Sequence, residues 1–251
     1  MAQHLARIHG TEEDKVNCPF YFKIGACRHS DRCSRLHHKP AFSQTLLVQH
    51  LYRHPTRQAE LRAAHGGDAH VDPRQAQEDF FAFFEDLYVE FSKFGRIEGM
   101  HVVDNLGDHM IGHVYVKFAD EEQASDALQV MNGRYYDGRP MIIEFSPVTD
   151  FREARCRDYD EDQCARQGYC NFLHSKPVPR ALLQSLEDDC EADRIAEKER
   201  RRRDRKTQKK RKHRDRSHSE DRSYRKHGRS DRHRDGSVYD SEGSLSPAPK
   251  H

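Results

Sequence analysis

Two hydrophobic periods alternate through the middle of the chain. Phe80, Phe84, Leu87, Phe91 and Phe94 recur at helical spacing from about Gln77, with Phe81, Phe83 and Tyr88 widening the stripe; this predicts an amphipathic helix. Asp79, Asp86 and Glu90 fall on another face with Glu85 beside it, so the outer surface of that helix is acidic. A short apolar stretch at 97–103 and a turn containing Asn105, Leu106, Gly107 and Asp108 follow. Within 112–118, Val114, Val116 and Phe118 alternate with His113, Tyr115 and Lys117, the pattern of a strand with one buried face. Ala124, Ala127, Leu128 and Met131 then repeat at i, i+3, i+4 and i+7 and stop at Asn132-Gly133, a second helix with a C-terminal stop. Residues 141–145 form a further apolar strand. The order helix, strand, strand, helix, strand needs only a first strand to become βαββαβ, an α+β plan. Residues 62–71 are the place expected for that strand.

Outside this block the pattern is set by cysteine. Cys18, Cys27, Cys33 and His37 are spaced C-x8-C-x5-C-x3-H, and Cys156, Cys164, Cys170 and His174 are spaced C-x7-C-x5-C-x3-H. Three thiolates and one imidazole fill a tetrahedral Zn²⁺ shell and leave no position open for substrate or an activated water, so two structural zinc ions are expected. Segments this short bury too little to fold alone, and ligation would supply most of their folding free energy, on the order of 10 kcal/mol at neutral pH. A chance spacing of buried thiols is the bland alternative, and the near-repetition of four spacings argues against it. Cys190, by contrast, follows Leu183 and Leu186 at helical spacing and reads as a small core residue.

Aromatic and basic residues interleave with these ligands: Phe20, Tyr21, Phe22, Arg28, Arg32 and Arg35 in the first cluster, and Asp150, Phe151, Arg152, Arg157, Arg166, Tyr169 and Phe172 around the second. Rings that stack on bases beside guanidinium groups are the materials of single-stranded RNA recognition. About half of the rings are expected merely to cover the metal, because fingers have little other apolar material.

Composition explains the rest of the chain. Hydrophobic residues make up 35% and charged residues 34% of the 251, with a mean hydropathy of -1.05, too polar for one continuous core. Net charge is only +1, yet residues 198–234 carry 19 basic against 6 acidic residues, which leaves the remainder acidic by 12. An acidic folded part joined to a basic tail is the asymmetry of a nucleic-acid partner. The tail, with little to bury, is expected to be disordered, and its Arg216-Ser217, Arg222-Ser223 and Arg229-Ser230 pairs offer phosphorylation sites and salt-sensitive RNA affinity. The lack of any secretory leader or bilayer-length apolar run leads us to expect an intracellular protein with no membrane partner.

The stretches GTEEDKVNC (10–18), FYFKIGACRHSDRCSRL (20–36), FSQT (42–45), DNLGD (104–108), VYVKF (114–118) and SPVTDFREA (146–154) resemble the small-subunit family of the U2 snRNP auxiliary factor, over about residues 1–179. That resemblance implies a βαββαβ RNA-recognition-motif-like domain of the U2AF-homology type, flanked by two small CCCH zinc fingers and followed by a basic tail. It implies a nuclear splicing factor whose fingers hold the AG dinucleotide at the 3′ splice site. Matched motifs place RNA contacts at Phe20, Phe22, Arg28, Ser34 and Arg35 in the first finger and at Asp150, Phe151, Arg152, Arg157 and Phe172 in the second. A heterodimeric large subunit, bound to the polypyrimidine tract, would dock through Glu85, Asp86, Arg134, Tyr135 and Tyr136, and Arg/Ser-rich splicing proteins would engage the tail. Where the family usually has Arg-Trp-aromatic, this chain has Arg134-Tyr135-Tyr136, with a smaller ring at the middle position. Arg155 replaces a non-ligand cysteine, and the acid Asp158 follows Arg157, which bears on preference at the nucleotide after AG.

The expected boundaries are finger 1 at 12–40, a connecting segment at 41–61, the central domain at 62–147, finger 2 at 148–176, a helix at 177–199 and the tail at 200–251. The residues also argue for a division of labour. Ile111 stands where an RNA-binding sheet carries a basic residue and His113 where it carries a stacking ring, so the sheet is a poor RNA platform. The acidic helix suits a basic peptide. A cytoplasmic mRNA-binding or decay adaptor is the competing class. An enzyme is disfavoured because no nucleophile, paired-carboxylate or phosphate-loop constellation is present.

Overall fold

The structure, a computed structural model, describes residues 16–227, with 211–227 considered as helix backbone alone. Its centre is a four-stranded antiparallel sheet in the order β2-β3-β1-β6, built from β1 (Thr45–Gln49), β2 (Ile97–Val102), β3 (Val114–Phe118) and β6 (Ile142–Phe145). In β1, Leu46 faces Val116 of β3 on one side and Phe145 of β6 on the other.

The first strand thus lies inside the segment expected to be a connector, and not within 62–71. The first strand of the central domain begins at Thr45, seventeen residues ahead of the expected boundary at 62. The physical reason is that β1 is buried on both faces: Leu46 and Val48 join the helix-side core while Leu47 joins the opposite cluster, so no polar alternation marks the strand. The presumed linker also contains a helix, α2 (Pro55–Ala64), whose buried residue is Ala59.

Helix α3 (Pro73–Ser92) starts four residues ahead of the periodic stripe, because Asp72 caps it: its carboxylate accepts the Arg74 amide at 2.9 Å, and Pro73 occupies the first turn. Phe80, Phe84, Leu87 and Phe91 are fully buried against the sheet, as the stripe requires. Helix α4 (Glu121–Met131) buries Ala124, Ala127 and Met131 in the same core. Strands β4 (Tyr135–Tyr136) and β5 (Arg139–Pro140) form a small hairpin whose two central residues, Asp137 and Gly138, both have positive φ, 47° and 72°. An Asp-Gly turn of this hand matches the strand twist.

The opposite face of the sheet is covered too. Ile24, Ala26, Phe151, Ala154 and Leu173 from the two cysteine clusters pack on Leu47, Val103 and Tyr115. β3 is therefore buried on both faces rather than one: His113 and Tyr115 are as enclosed as the valines, and only Lys117 is partly open.

Helix α7 (Arg180–His227) docks Leu182, Leu183, Leu186 and Cys190 on the helix-side core, and Cys190 is a buried packing residue as its spacing suggests. Residues from Ile195 onward form a separate unit. There the helix runs on past 199, where disorder is expected, through to His227. Glu197 pairs with Arg200 at 2.7 Å and Arg201 at 2.8 Å, and Glu199 pairs with Arg203 at 3.7 Å, the acid-before-base spacing that supports a solvated helix. The part of the tail beyond His227, including Arg229-Ser230, lies outside the described residues. Among the described residues no helix is long and apolar enough to cross a membrane.

Candidate metal centres and nucleic-acid interface

Both cysteine clusters close in the same way. Each begins with a short helix after the first cysteine, α1 (Pro19–Ile24) and α6 (Arg157–Asp160), and each reaches its third cysteine through a single 3-10 turn, Ser30–Arg32 and Gln167–Tyr169. The residue three before that cysteine has positive φ in both, 44° at Ser30 and 47° at Gln167. A parallel bridge then brings the chain back beside its start, Asn17 with Leu36 and Arg155 with Leu173. The first spacing is one residue shorter in the second cluster because its helix has four residues in place of six while the link to the second cysteine has three in place of two.

The ligand atoms of Cys18, Cys27, Cys33 and His37 lie within 4.8 Å of one another, as do those of Cys156, Cys164, Cys170 and His174. Sulfur–sulfur separations are 3.8 Å for Cys27–Cys33, 3.8 Å for Cys156–Cys164 and 3.9 Å for Cys156–Cys170. Tetrahedral zinc with Zn–S near 2.3 Å requires about 3.8 Å. Nε2 of His37 and of His174 is buried with no hydrogen-bond partner, a costly state unless a metal takes the lone pair. Each imidazole is held by a stacked ring: Tyr21 on His37 at 4.5 Å and Tyr159 on His174 at 4.0 Å. The residues fit zinc, and these are two Cys₃His zinc sites.

The fingers meet in front of the sheet. The rings of Phe20 and Phe172 lie 6.5 Å apart, and the Arg28 guanidinium donates to the Asn171 side-chain oxygen at 2.7 Å. Phe20, Phe22, Tyr169 and Phe172 remain exposed, with Phe22 at 65% and Tyr169 at 66%. Finger 1 is seated by the buried hydroxyl of Tyr115, which donates to the Ile24 carbonyl at the end of α1. A Cβ on Gly25, whose φ is 67°, would stand 2.8 Å from the Ser146 hydroxyl, so only glycine lets the finger sit this close.

Finger 2 is seated by the β2–β3 loop. Asp104 gathers three elements: His54 at 3.2 Å, Lys176 at 3.1 Å and the Tyr159 hydroxyl at 2.9 Å. Burial alone would raise its pKa, but the His54 hydrogen bond, the Lys176 ammonium and the Tyr159 hydroxyl outweigh it and hold the carboxyl at about 2. Two histidines under the fingers are kept neutral by burial, His101 with its pKa lowered to about 4 and His113 to about 3.

Residues 84–142 match the RNA recognition motif model, and residues 13–39 match that of the C-x8-C-x5-C-x3-H zinc finger. Over 187 residues the chain is 54% identical to the Drosophila melanogaster "Splicing factor U2af 38 kDa subunit", an overlap of 74% of this chain and 71% of that one. It is 51% identical over 187 residues to the human "Splicing factor U2AF 26 kDa subunit", covering 74% of this chain and 84% of the relative. The chain belongs to the family of U2AF small subunits. It is also 56% identical over 186 residues to one of the U2af small subunits of Arabidopsis thaliana, an overlap of 74% of this chain that spans 62% of that relative's length. The U2AF small subunits are a non-enzymatic family of splicing factors, in keeping with two metal shells that have no free position.

The structure brings most of the family's expected RNA positions to the finger surface and withdraws one. Phe20, Phe22, Arg28, Ser34 and Arg35 are exposed, as are Arg152, Arg157 and Phe172. Asp150 caps the short helix α5 (Phe151–Ala154) and pairs with Arg152 at 2.7 Å, so the two act as one unit. Phe151 differs from the others: its ring is 9% exposed and packs against His101, 4.3 Å away, and Tyr115, 5.7 Å away. Tyr21 packs on its histidine, so of the six rings named in the sequence only this one covers a metal site, fewer than the half expected; Phe20, Phe22, Tyr169 and Phe172 stay exposed. Asp158 is exposed. Asn171 carries no signal in the sequence that singles it out, and Asp104 and Asn105 are marked only as part of the DNLGD likeness, with nothing to show what they hold. The DNLGD run reads locally as a turn, because the partners of Asp104 and Asn105 lie 50 to 72 residues away in the chain.

On the far side of the domain, Tyr135 stands 76% exposed at the hairpin. Tyr136 donates to Asp86 at 3.4 Å, and Arg134 approaches Glu90 at 3.5 Å. An open groove of about 680 Å³ runs beside them, floored by Tyr52 and Phe83 and rimmed by Asp79 and Asp86. Glu85 is half-buried on the same helix.

Proposed function

We infer that this chain is a nuclear pre-mRNA splicing-factor subunit that reads the AG dinucleotide of the 3′ splice site with its two fingers acting as one site. The observation that carries the reading is the junction of Phe20 with Phe172 and of Arg28 with Asn171, which makes a single aromatic and cationic surface from both fingers. Such a surface suits a short unstacked stretch of RNA: the rings supply base stacking, and Arg35, Arg152 and Arg157 supply phosphate or base-edge contacts. The sheet face that other RNA-recognition motifs leave open for RNA is filled here by Ile24, Phe151 and Leu173, so the fingers take over that task.

The acidic groove and the exposed Tyr135 serve a heterodimeric large subunit. A peptide that lays an aromatic ring on the floor formed by Tyr52, Phe83 and Tyr136 and sets basic residues against Asp79 and Asp86 satisfies both the apolar floor and the charged rim. The basic run 198–234 adds sequence-independent affinity for RNA, a nuclear-import signal and contacts to Arg/Ser-rich splicing proteins.

Binding of the purified chain, with the large-subunit peptide present, to a uridine-rich RNA ending in UAG and to the same RNA ending in UAC tests this at near-physiological salt. A UAG preference that disappears on zinc chelation is expected. Equal, salt-sensitive binding to both would refute AG recognition and leave a nonspecific RNA adaptor.

A further inference from the structure

The loop between β2 and β3 makes contacts that RNA recognition by the fingers does not directly use. From Val102 to Leu106 the chain runs antiparallel to the end of finger 2: the Lys176 amide donates to Val102 O at 2.9 Å, the Asp104 amide to His174 O at 2.8 Å, and the Leu106 amide to Gly168 O. At the centre of this ladder the partner is the Asn105 side chain. Its Oδ1 accepts the His174 amide at 2.8 Å, and its Nδ2 donates to the carbonyls of Cys170 and Phe172, each at 3.0 Å. The carboxamide is wholly buried, and its orientation follows from its partners, since an amide N–H can face only the oxygen and two carbonyls only the nitrogen. The neighbouring Leu106 fits against Gly168 so closely that a Cβ there would lie 2.6 Å from its Cγ.

These three bonds bracket Asn171 and Phe172, the finger-2 residues that meet Arg28 and Phe20 of finger 1 at the exposed junction. We propose that Asn105 is a positioning residue for the RNA-binding surface. It fixes the backbone on both sides of Phe172, so that this ring meets Phe20 and Asn171 meets Arg28. The zinc shell closes finger 2 upon itself, whereas the Asn105 carboxamide sets where the closed finger faces. In this view the central domain is a jig, with Tyr115 registering finger 1 and Asn105 registering finger 2. An acid of the same shape cannot replace it, because a carboxylate oxygen would face the Cys170 and Phe172 carbonyls.

The inference rests on the RNA reading above, and its test is arranged so that the two can fail separately. Asn105→Ala and Asn105→Asp are made in the full chain and assayed for zinc content, for the nuclear Overhauser contact between the Phe20 and Phe172 rings in phenylalanine-labelled protein, and for binding to the UAG and UAC RNAs. Both variants should keep two zinc ions, lose the ring contact and lose about tenfold in UAG affinity, within the range that one stacked base contributes, while UAC binding holds. An intact ring contact with two zinc ions bound would overturn the proposal. So would loss of the second zinc from both variants, which would make Asn105 a folding residue of the finger. If the unsubstituted chain shows no UAG preference, the RNA reading fails, and the ring contact alone decides whether Asn105 positions finger 2.

Discussion

Replacing Tyr115 with phenylalanine removes one oxygen from the centre of the molecule and tests whether finger 1 is seated on the sheet. The Tyr115 hydroxyl is fully buried and donates to the Ile24 carbonyl, one of the acceptors left over at the end of α1. In Tyr115→Phe the ring still packs between Phe151 and Gly25, so the loss is the hydrogen bond plus the desolvation of a carbonyl with no replacement donor, about 1–3 kcal/mol. For a folded body of this size each kcal/mol lowers the thermal midpoint by roughly 2–4 °C. We expect a fall of about 5 °C in the zinc-loaded protein, measured by circular dichroism against Tyr136→Phe, whose hydroxyl makes a 3.4 Å contact at the surface and whose loss should be within about 0.5 kcal/mol of neutral. Equal midpoints for Tyr115→Phe and the unsubstituted chain would refute a buried bond between sheet and finger.

Cys156→Ser should lower the bound zinc from two ions to one and unfold finger 2 alone, read by metal analysis and by loss of amide protection confined to 155–174; release of both ions would show that the centres are not independent. Asp86→Lys should weaken a large-subunit peptide bearing basic residues beside its aromatic anchor by about tenfold and flatten its salt dependence, as seen by calorimetry, because the charge sits on the groove rim. His113 has its pKa depressed to about 3 by burial, so it stays neutral when folded and takes a proton on unfolding below about 6.5. Its contribution is therefore intact at neutral pH and is lost as pH falls from 6.5 toward 3, about 2 kcal/mol by pH 5. His113→Gln should show a correspondingly shallower acid slope in denaturant unfolding with excess zinc.

What can be read from the chain alone follows the range of the interactions. The Phe80-to-Phe91 stripe, the Ala124-to-Met131 stripe and the two ligand spacings are local patterns, and each maps directly onto an element or a metal site. Thr45–Gln49 is hidden because a central strand enclosed by helices on one side and fingers on the other has no polar face to reveal its period. Alternation misleads for β3 for the same reason: Tyr115 occupies a position that would be solvent-facing in an open sheet and is instead the floor under finger 1. Phe151 carries the composition of a stacking ring, and only the folded contact with His101 and Tyr115 shows that it packs. Asn105 has the look of a turn residue, since nothing near it in sequence discloses the three backbone groups of finger 2 that it binds. The helix between Ile195 and Arg203 carries Glu–Arg pairs at i, i+3 and i+4, a spacing that supports a helix with little to bury.

The central claim is that the two fingers form one site, and a double-mutant cycle addresses it directly. UAG and UAC affinities are measured for the unsubstituted chain, Phe20→Ala, Phe172→Ala and the pair. Each single change should remove most of the UAG preference, about 1–3 kcal/mol for a stacked base, and the double variant should lose little more. Strictly additive losses, with UAG preference surviving in either single variant, would contradict a joint site and leave two fingers that bind RNA independently.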